Sequence, residues 1–244
     1  MINLWNTIFY EPLYNGLIFL ISIVPGGSVA LSVIILTLLV KFILYPLSQK
    51  SIDTQVKMRS VEGELTKIKE KNKEKEAVAR ETMALYKKHG INPFSGCITI
   101  LIQLPIIIAL YFVFFKGLTP ENSFLYSFVH FPEQMNTIFL GLIDITKKSL
   151  VLGILAGVAQ YFQTALTMPK PKPQVAGVKT SFADEFGRSM YIQMKYFLPL
   201  LIVFIAYTTS AAVALYWITS SLFMIGQEYV VRKKAGINLF ENRG

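Results

Sequence analysis

Residues 196–231 read YFLPLLIVFIAYTTSAAVALYWITSSLFMIGQEYVV, an apolar run whose one charge, Glu228, sits near its end. As a single helix the run would be about 54 Å long at 1.5 Å per residue, far beyond one crossing of a ~30 Å hydrocarbon core. It must be two helices, turned at the polar Thr208-Thr209-Ser210. An apolar helical pair of this length has its place in a bilayer. The chain is read as an all-α polytopic membrane protein.

Outward from that stretch, three more runs can cross. Ala30 to Gln49 holds one charge, Lys41; Phe94 to Phe115 is uncharged; Leu150 to Met168 is uncharged and stopped by Pro169. With the two helices of 196–231 this gives five transmembrane helices. Composition agrees: 53% of the 244 residues are hydrophobic and 16% charged, against about a quarter charged in a soluble domain. Disorder, a coiled-coil rod and a soluble nucleic-acid binder are excluded, and the single Cys97 excludes an internal disulfide.

Residues 1–24 are apolar but carry Glu11-Pro12, and the clean stretch Gly16 to Val24 is too short to cross. They are expected to form an interfacial helix anchored by Trp5, Tyr10 and Tyr14 and ended by Pro25-Gly26-Gly27, with a sixth span as the alternative. Lys and Arg then set the orientation. There are none in 1–29, eleven in 50–93, three in 116–149, five in 169–195 and four after Val231. The positive-inside rule places the N-terminus outside and the C-terminus in the cytoplasm. Most of the +9 net charge is thereby a topology signal beside anionic lipid, and no nucleic-acid binding is expected.

The polar stretch between the first two spans has its own pattern. Met58, Val61, Leu65 and Ile68 form one helical stripe, Lys69 to Glu76 alternates charge, and Val78, Thr82, Leu85 and Tyr86 form a second stripe before Gly90 and Asn92-Pro93. A cytoplasmic helical hairpin follows, either a plain solvated loop or a docking surface. The expected organisation is an interfacial helix over 1–27, a membrane core over 28–49 and 94–233, the hairpin over 50–93, and a short cytoplasmic tail over 234–244.

Lys41 is the most informative residue. It lies about 13 Å along the helix from Lys50, too deep for easy snorkelling, and an intramembrane lysine costs at least ~2.5 kcal/mol on insertion scales. It should face a bundle interior or a wet cavity. No Asp or Glu of another span lies at its depth to pair with it. Thr37 is one turn away, Gln103 precedes Pro105, and Gln160, Gln163, Thr164 and Thr167 share one face of the third span. Thr219, Ser220 and Ser221 follow Tyr216-Trp217, and Gly153 and Gly157 form a GxxxG expected to pack helices closely. Together these suggest a polar groove without a fixed counter-charge. No P-loop, HExxH, GxSxG or GxGxxG is present, and His89 and His130 fall in loops on opposite sides. Neither enzymatic activity nor a cofactor or metal centre is expected.

Asn92-Pro93-Phe94-Ser95-Gly96-Cys97, followed by Ile102-Gln103-Leu104-Pro105-Ile106 and Ala109-Leu110-Tyr111, resembles the second core span of YidC-type membrane protein insertases. Thr37-Leu38-Leu39-Val40-Lys41 with Tyr45-Pro46-Leu47 resembles the first core span, Met83-Ala84-Leu85-Tyr86-Lys87-Lys88 the end of the hairpin, and Leu215-Tyr216-Trp217 the last span. The likeness covers about residues 8–233, with the motifs in the family's order.

The resemblance implies five core helices around a hydrophilic groove, in a bacterial-type inner (cell) membrane. A basic groove residue draws the polar outer segment of a nascent client partway in, and the client's apolar helix leaves to lipid without nucleotide hydrolysis. Carried over by position, the client-binding residues are Lys41 and Thr37, with Gln103, Gln160, Gln163, Tyr216, Trp217, Thr219 and Ser220 lining the groove. Partners implied are nascent membrane proteins and the lipid bilayer, with a Sec translocon and the ribosome as further candidates. Three departures stand out: Lys41 where the family usually has Arg, Gly63 where proline is common, and Thr209-Ser210-Ala211-Ala212 without a proline. The rival reading is an anion-selective transporter or channel with Lys41 as substrate site, against which stands the lack of paired broken helices in two halves.

Overall fold

The computed structural model describes residues 2–72, 74–92, 95–119, 125–168 and 182–234. Readings that fall on Pro93 and Phe94, on 169–181 and on the tail after Lys234 lie outside them. α1 (Ile2–Trp5) continues through a π-turn (Asn6–Tyr10) into α2 (Glu11–Ile23). Pro12 has no N–H to offer the turn before it. The chain widens instead, with the Glu11 N–H donating to the Asn6 carbonyl five residues back. Pro25-Gly26-Gly27 ends α2, both glycines adopting positive φ (+70° and +59°).

α3 (Val29–Ile43) is N-capped by Ser28, whose Oγ accepts the Leu31 N–H at 3.3 Å. The first apolar run does not continue straight to Gln49 as expected. It bends by 61° at Leu44 into α4 (Tyr45–Ser60), because Pro46 cannot donate to the Phe42 carbonyl. α4 leans back over the bundle with Ser48, Ser51 and Ile52 buried, so its first turns pack on the core. α5 (Glu62–Lys71) and α6 (Lys75–Lys88) then pair through a small cluster of their own: Val61, Leu85 and Ile91, flanked by Met58, Leu65, Ile68 and Tyr86. These are largely the stripe residues, and Glu64 meets Lys88 and His89 alongside them.

α7 (Ser95–Lys116) carries Pro105 inside it. Next come β1 (Ile138–Phe139) and β2 (Ile143–Asp144), a short antiparallel pair. α8 (Leu150–Thr167) follows, capped by Ser149. α9 (Phe182–Ile192) runs through a second π-turn (Gln193–Phe197) into α10 (Leu198–Thr208), where Pro199 repeats the situation at Pro12. α11 (Ala211–Lys234) starts after the break at Thr209-Ser210, at the expected turn.

Among the described residues, two helices are long and apolar enough to cross a membrane, Leu150–Thr167 and Gly187–Thr208, and the bent pair Val29–Ile43 with Tyr45–Met58 makes a third where it is counted as one span. Gln103–Lys116 is a shorter apolar helix, and α11 has 24 residues but several polar ones. The core gathers α2, α3, α7, α8, α10 and α11. Tyr10 and Tyr14, expected as interfacial anchors, are fully buried in it; the Tyr14 hydroxyl donates to the Thr119 carbonyl at 3.0 Å. Outward, α1, the π-turn and α2 show Leu4, Ile8, Phe19 and Ile23. The N-terminal helix is apolar on both faces.

Residues 125–149 tie one end of the bundle together. Asn136 exchanges backbone hydrogen bonds with Gly27 and Val29, while the carbonyls of Ile145 and Lys147 accept the first N–H groups of α11 at 2.9 and 2.7 Å. Asn15 reaches out from α2 to accept the Tyr126 N–H at 2.7 Å. A Cβ on Gly27 would lie 2.5 Å from the Gln134 carbonyl oxygen, so the approach needs glycine there.

Candidate functional site

Three helices converge on Lys41. Its position near the C-terminal end of α3 leaves the side chain 6% exposed, and Nζ donates to Gln103 Oε1 on α7 at 2.9 Å. Gln103 Nε2 in turn donates to the Tyr216 hydroxyl on α11. An ammonium thus ends a chain of neutral groups, and among the described residues no carboxylate pairs with it. Lysine has three N–H donors, of which this arrangement uses one. The charge is held by position, with no carboxylate among the described residues to cancel it.

The other expected residues divide. Thr37 is buried one turn from Lys41, but its hydroxyl bonds back to the Val33 carbonyl at 2.6 Å. Trp217 and Ser220 are buried on α11, and Thr219 donates to the Leu215 carbonyl at 2.8 Å. Gln160 is buried on α8 and donates to Thr164 of its own helix at 3.2 Å, while Gln163 is half-buried. Of the nine, hydrogen bonds join Lys41, Gln103 and Tyr216, and Ser220 meets the Tyr216 hydroxyl from the same helix. Gly153 and Gly157 pack α8 onto α10 as expected of GxxxG, next to Val203, Ala206 and Pro199.

A second polar cluster, not expected from sequence, lies toward the ends of α4, α8 and α11. Ser48 donates to Gln227 Oε1 at 3.0 Å, and Gln227 Nε2 to the Tyr45 carbonyl at 3.2 Å. Arg232 is 2% exposed; its Nε donates to Glu228 at 2.6 Å and its terminal nitrogen to the Thr167 carbonyl at 2.9 Å. Arg232, in the sequence one of four basic residues after Val231, is paired here with Glu228. The i,i+4 spacing of Glu228 and Arg232 was the available signal.

The sequence is similar to known membrane proteins over most of its length. A family model described as 60Kd inner membrane protein matches residues 20–237. The membrane protein insertase YidC of Clostridium tetani is 32% identical over 212 residues, 86% of this chain and 84% of the relative. That of Oceanobacillus iheyensis is 33% identical over 239 residues (95% and 84%), and the membrane protein insertase MisCA of Bacillus subtilis 30% over 241 residues (94% and 80%).

Proposed function

The chain belongs to the 60Kd inner membrane protein family of YidC-type membrane protein insertases, and on that premise we propose that it inserts nascent membrane proteins by drawing their polar outer segments toward Lys41. The observation that carries this reading is the lysine whose only described side-chain partner is an amide. An arriving carboxylate offers Lys41 a charge-assisted bond, stronger than the neutral acceptor it replaces. Gln103 and Tyr216 hold the ammonium ready until then. Thr37, Trp217, Thr219, Ser220, Gln160 and Gln163 supply further polar and amphipathic lining to the same groove. The client's apolar helix then partitions to lipid down its own transfer free energy, which asks for no nucleotide.

The architecture proposed is five spans with the N-terminus outside and a cytoplasmic hairpin formed by α5 and α6. That hairpin and Lys233-Lys234 are the places where a Sec translocon or a ribosome would dock. The anion-transporter reading is not favoured, since the relatives are insertases.

The test is insertion into nucleotide-free proteoliposomes of two single-span clients, one with an acidic outer segment and one neutral. Lys41→Arg should retain both. Lys41→Met should slow the acidic client, and Lys41→Glu should slow it further by repulsion. Equal insertion of the acidic client by wild type, Lys41→Met and Lys41→Glu at matched protein levels would sink the electrostatic mechanism.

A further inference from the structure

A second cation sits in an apolar setting away from Lys41. Lys195 lies in the π-turn Gln193–Phe197, within the apolar helix Gly187–Thr208. Its Nζ is 5.6, 5.4 and 5.1 Å from the ring centroids of Tyr161, Tyr191 and Tyr196. Tyr161 comes from α8 and the other two from the α9–α10 helix, so the cluster closes the seam between them. Among the described residues no carboxylate pairs with Lys195. Arg188, two turns toward the start of α9, is exposed, while beyond Lys195 the surface turns apolar with Phe162, Phe197, Leu200 and Phe204 exposed.

A lysine ringed by phenols, with an exposed apolar slope on one side and Arg188 two turns away on the other, matches the two halves of a phospholipid. A zwitterionic choline headgroup brings a cation of its own, and Lys195 already occupies the aromatic cage that would receive it. We propose that Lys195, Tyr161, Tyr191 and Tyr196, with Arg188, bind the phosphate of an anionic phospholipid whose acyl chains lie along the α8–α10 seam. Lys195 supplies charge and donors to the phosphate oxygens, and the tyrosines fix the ammonium and add hydroxyl donors. The π-turn is what gives the lysine its place among the three rings.

The experiment is native mass spectrometry of the full chain in mild detergent, titrated with phosphatidylglycerol or phosphatidylcholine in the absence of client. Phosphatidylglycerol should bind preferentially. Lys195→Gln should weaken it about tenfold, the scale of one lost charge-assisted hydrogen bond, with Lys195→Arg close to wild type and Lys67→Gln, on the exposed face of α5, unchanged. Melting curves identify variants that remain folded, and Lys41→Met should leave lipid binding intact whatever it does to insertion. Equal binding of the two lipids, or wild-type affinity in folded Lys195→Gln, overturns the site. Displacement of the lipid by millimolar inorganic phosphate overturns the lipid assignment in favour of a free-anion site.

Discussion

At the scale of single residues, the amide of Gln103 separates stability from function. It is the described acceptor for a buried ammonium, so Gln103→Leu leaves Lys41 short of its bond. A buried group left unsatisfied costs about 1–3 kcal/mol, more when charged. Tyr216→Phe removes a bond between neutral groups, nearer ~1 kcal/mol. Thermal melting in detergent should rank Gln103→Leu well below Tyr216→Phe. Gln103→Glu makes the sharper comparison, since it gives Lys41 a resident counter-charge. The fold should tolerate it as well as wild type or better, yet insertion of acidic clients should fall because the lysine is already paired. A Gln103→Glu protein with wild-type acidic-client insertion would mean that the absence of a carboxylate is incidental.

At the scale of elements, the contact of α8 with α10 rests on Gly157 more than on Gly153. A Cβ at 157 would lie 2.5 Å from Val203 Cγ2 and 3.0 Å from the Pro199 carbonyl, whereas one at 153 meets Val203 O at 3.4 Å. Gly157→Ala should cost about 1–3 kcal/mol as overpacking, and Gly153→Ala should be near neutral because helix propensity offsets the contact. The Arg232–Glu228 pair makes a similar contrast at the end of α11. Arg232→Met alone breaks a buried ion pair, about 3–5 kcal/mol, while Arg232→Met with Glu228→Met should recover most of it. Melting of the single and double variants decides both. Much of this was legible in the sequence: the break at Thr209-Ser210, the stripes through Met58, Val61, Leu65 and Leu85, and the GxxxG are local patterns of period and punctuation. The bend at Leu44 and the two π-turns were signalled by Pro46, Pro12 and Pro199, but a proline says only that one bond is missing. Whether the helix bends or widens depends on what packs around it. The bond from Arg232 to the Thr167 carbonyl was hidden for a related reason: the two lie 65 residues apart. The joining of Lys41 to Gln103 and Tyr216 was legible as three polar residues in apolar runs, and only the packing of α3, α7 and α11 makes it a chain.

At the scale of the molecule, the α5–α6 pair is held by a cluster of three buried residues, Val61, Leu85 and Ile91, while the bundle shares one large core. Opening free energy follows buried apolar contact, so backbone amides of 62–72 and 75–88 should exchange far faster than those of α3, α8 and α11. Comparable protection would show a tightly docked pair.

The same distribution of contacts constrains sidedness before any charge is counted. Gly27 and Val29 bond to Asn136, and Ala211 and Ala212 bond to Lys147 and Ile145, so the α2–α3 turn, the 125–149 segment and the start of α11 share one end of the bundle. Ser48 with Gln227, and Thr167 with Arg232, gather the opposite end. Only an inversion of the whole molecule is then left open. The proposed orientation follows from eleven basic residues in 50–93 against three in 116–149, which the positive-inside rule assigns to the cytoplasmic side. In a Cys97→Ser background, a cysteine replacing Glu133 should react with an impermeant maleimide in intact cells. One replacing Ser60 or Lys234 should react only after permeabilisation. Labelling of Ser60→Cys from outside, with Glu133→Cys protected, would mean the bundle is inverted, and Lys41 would then face clients from the wrong side of the membrane.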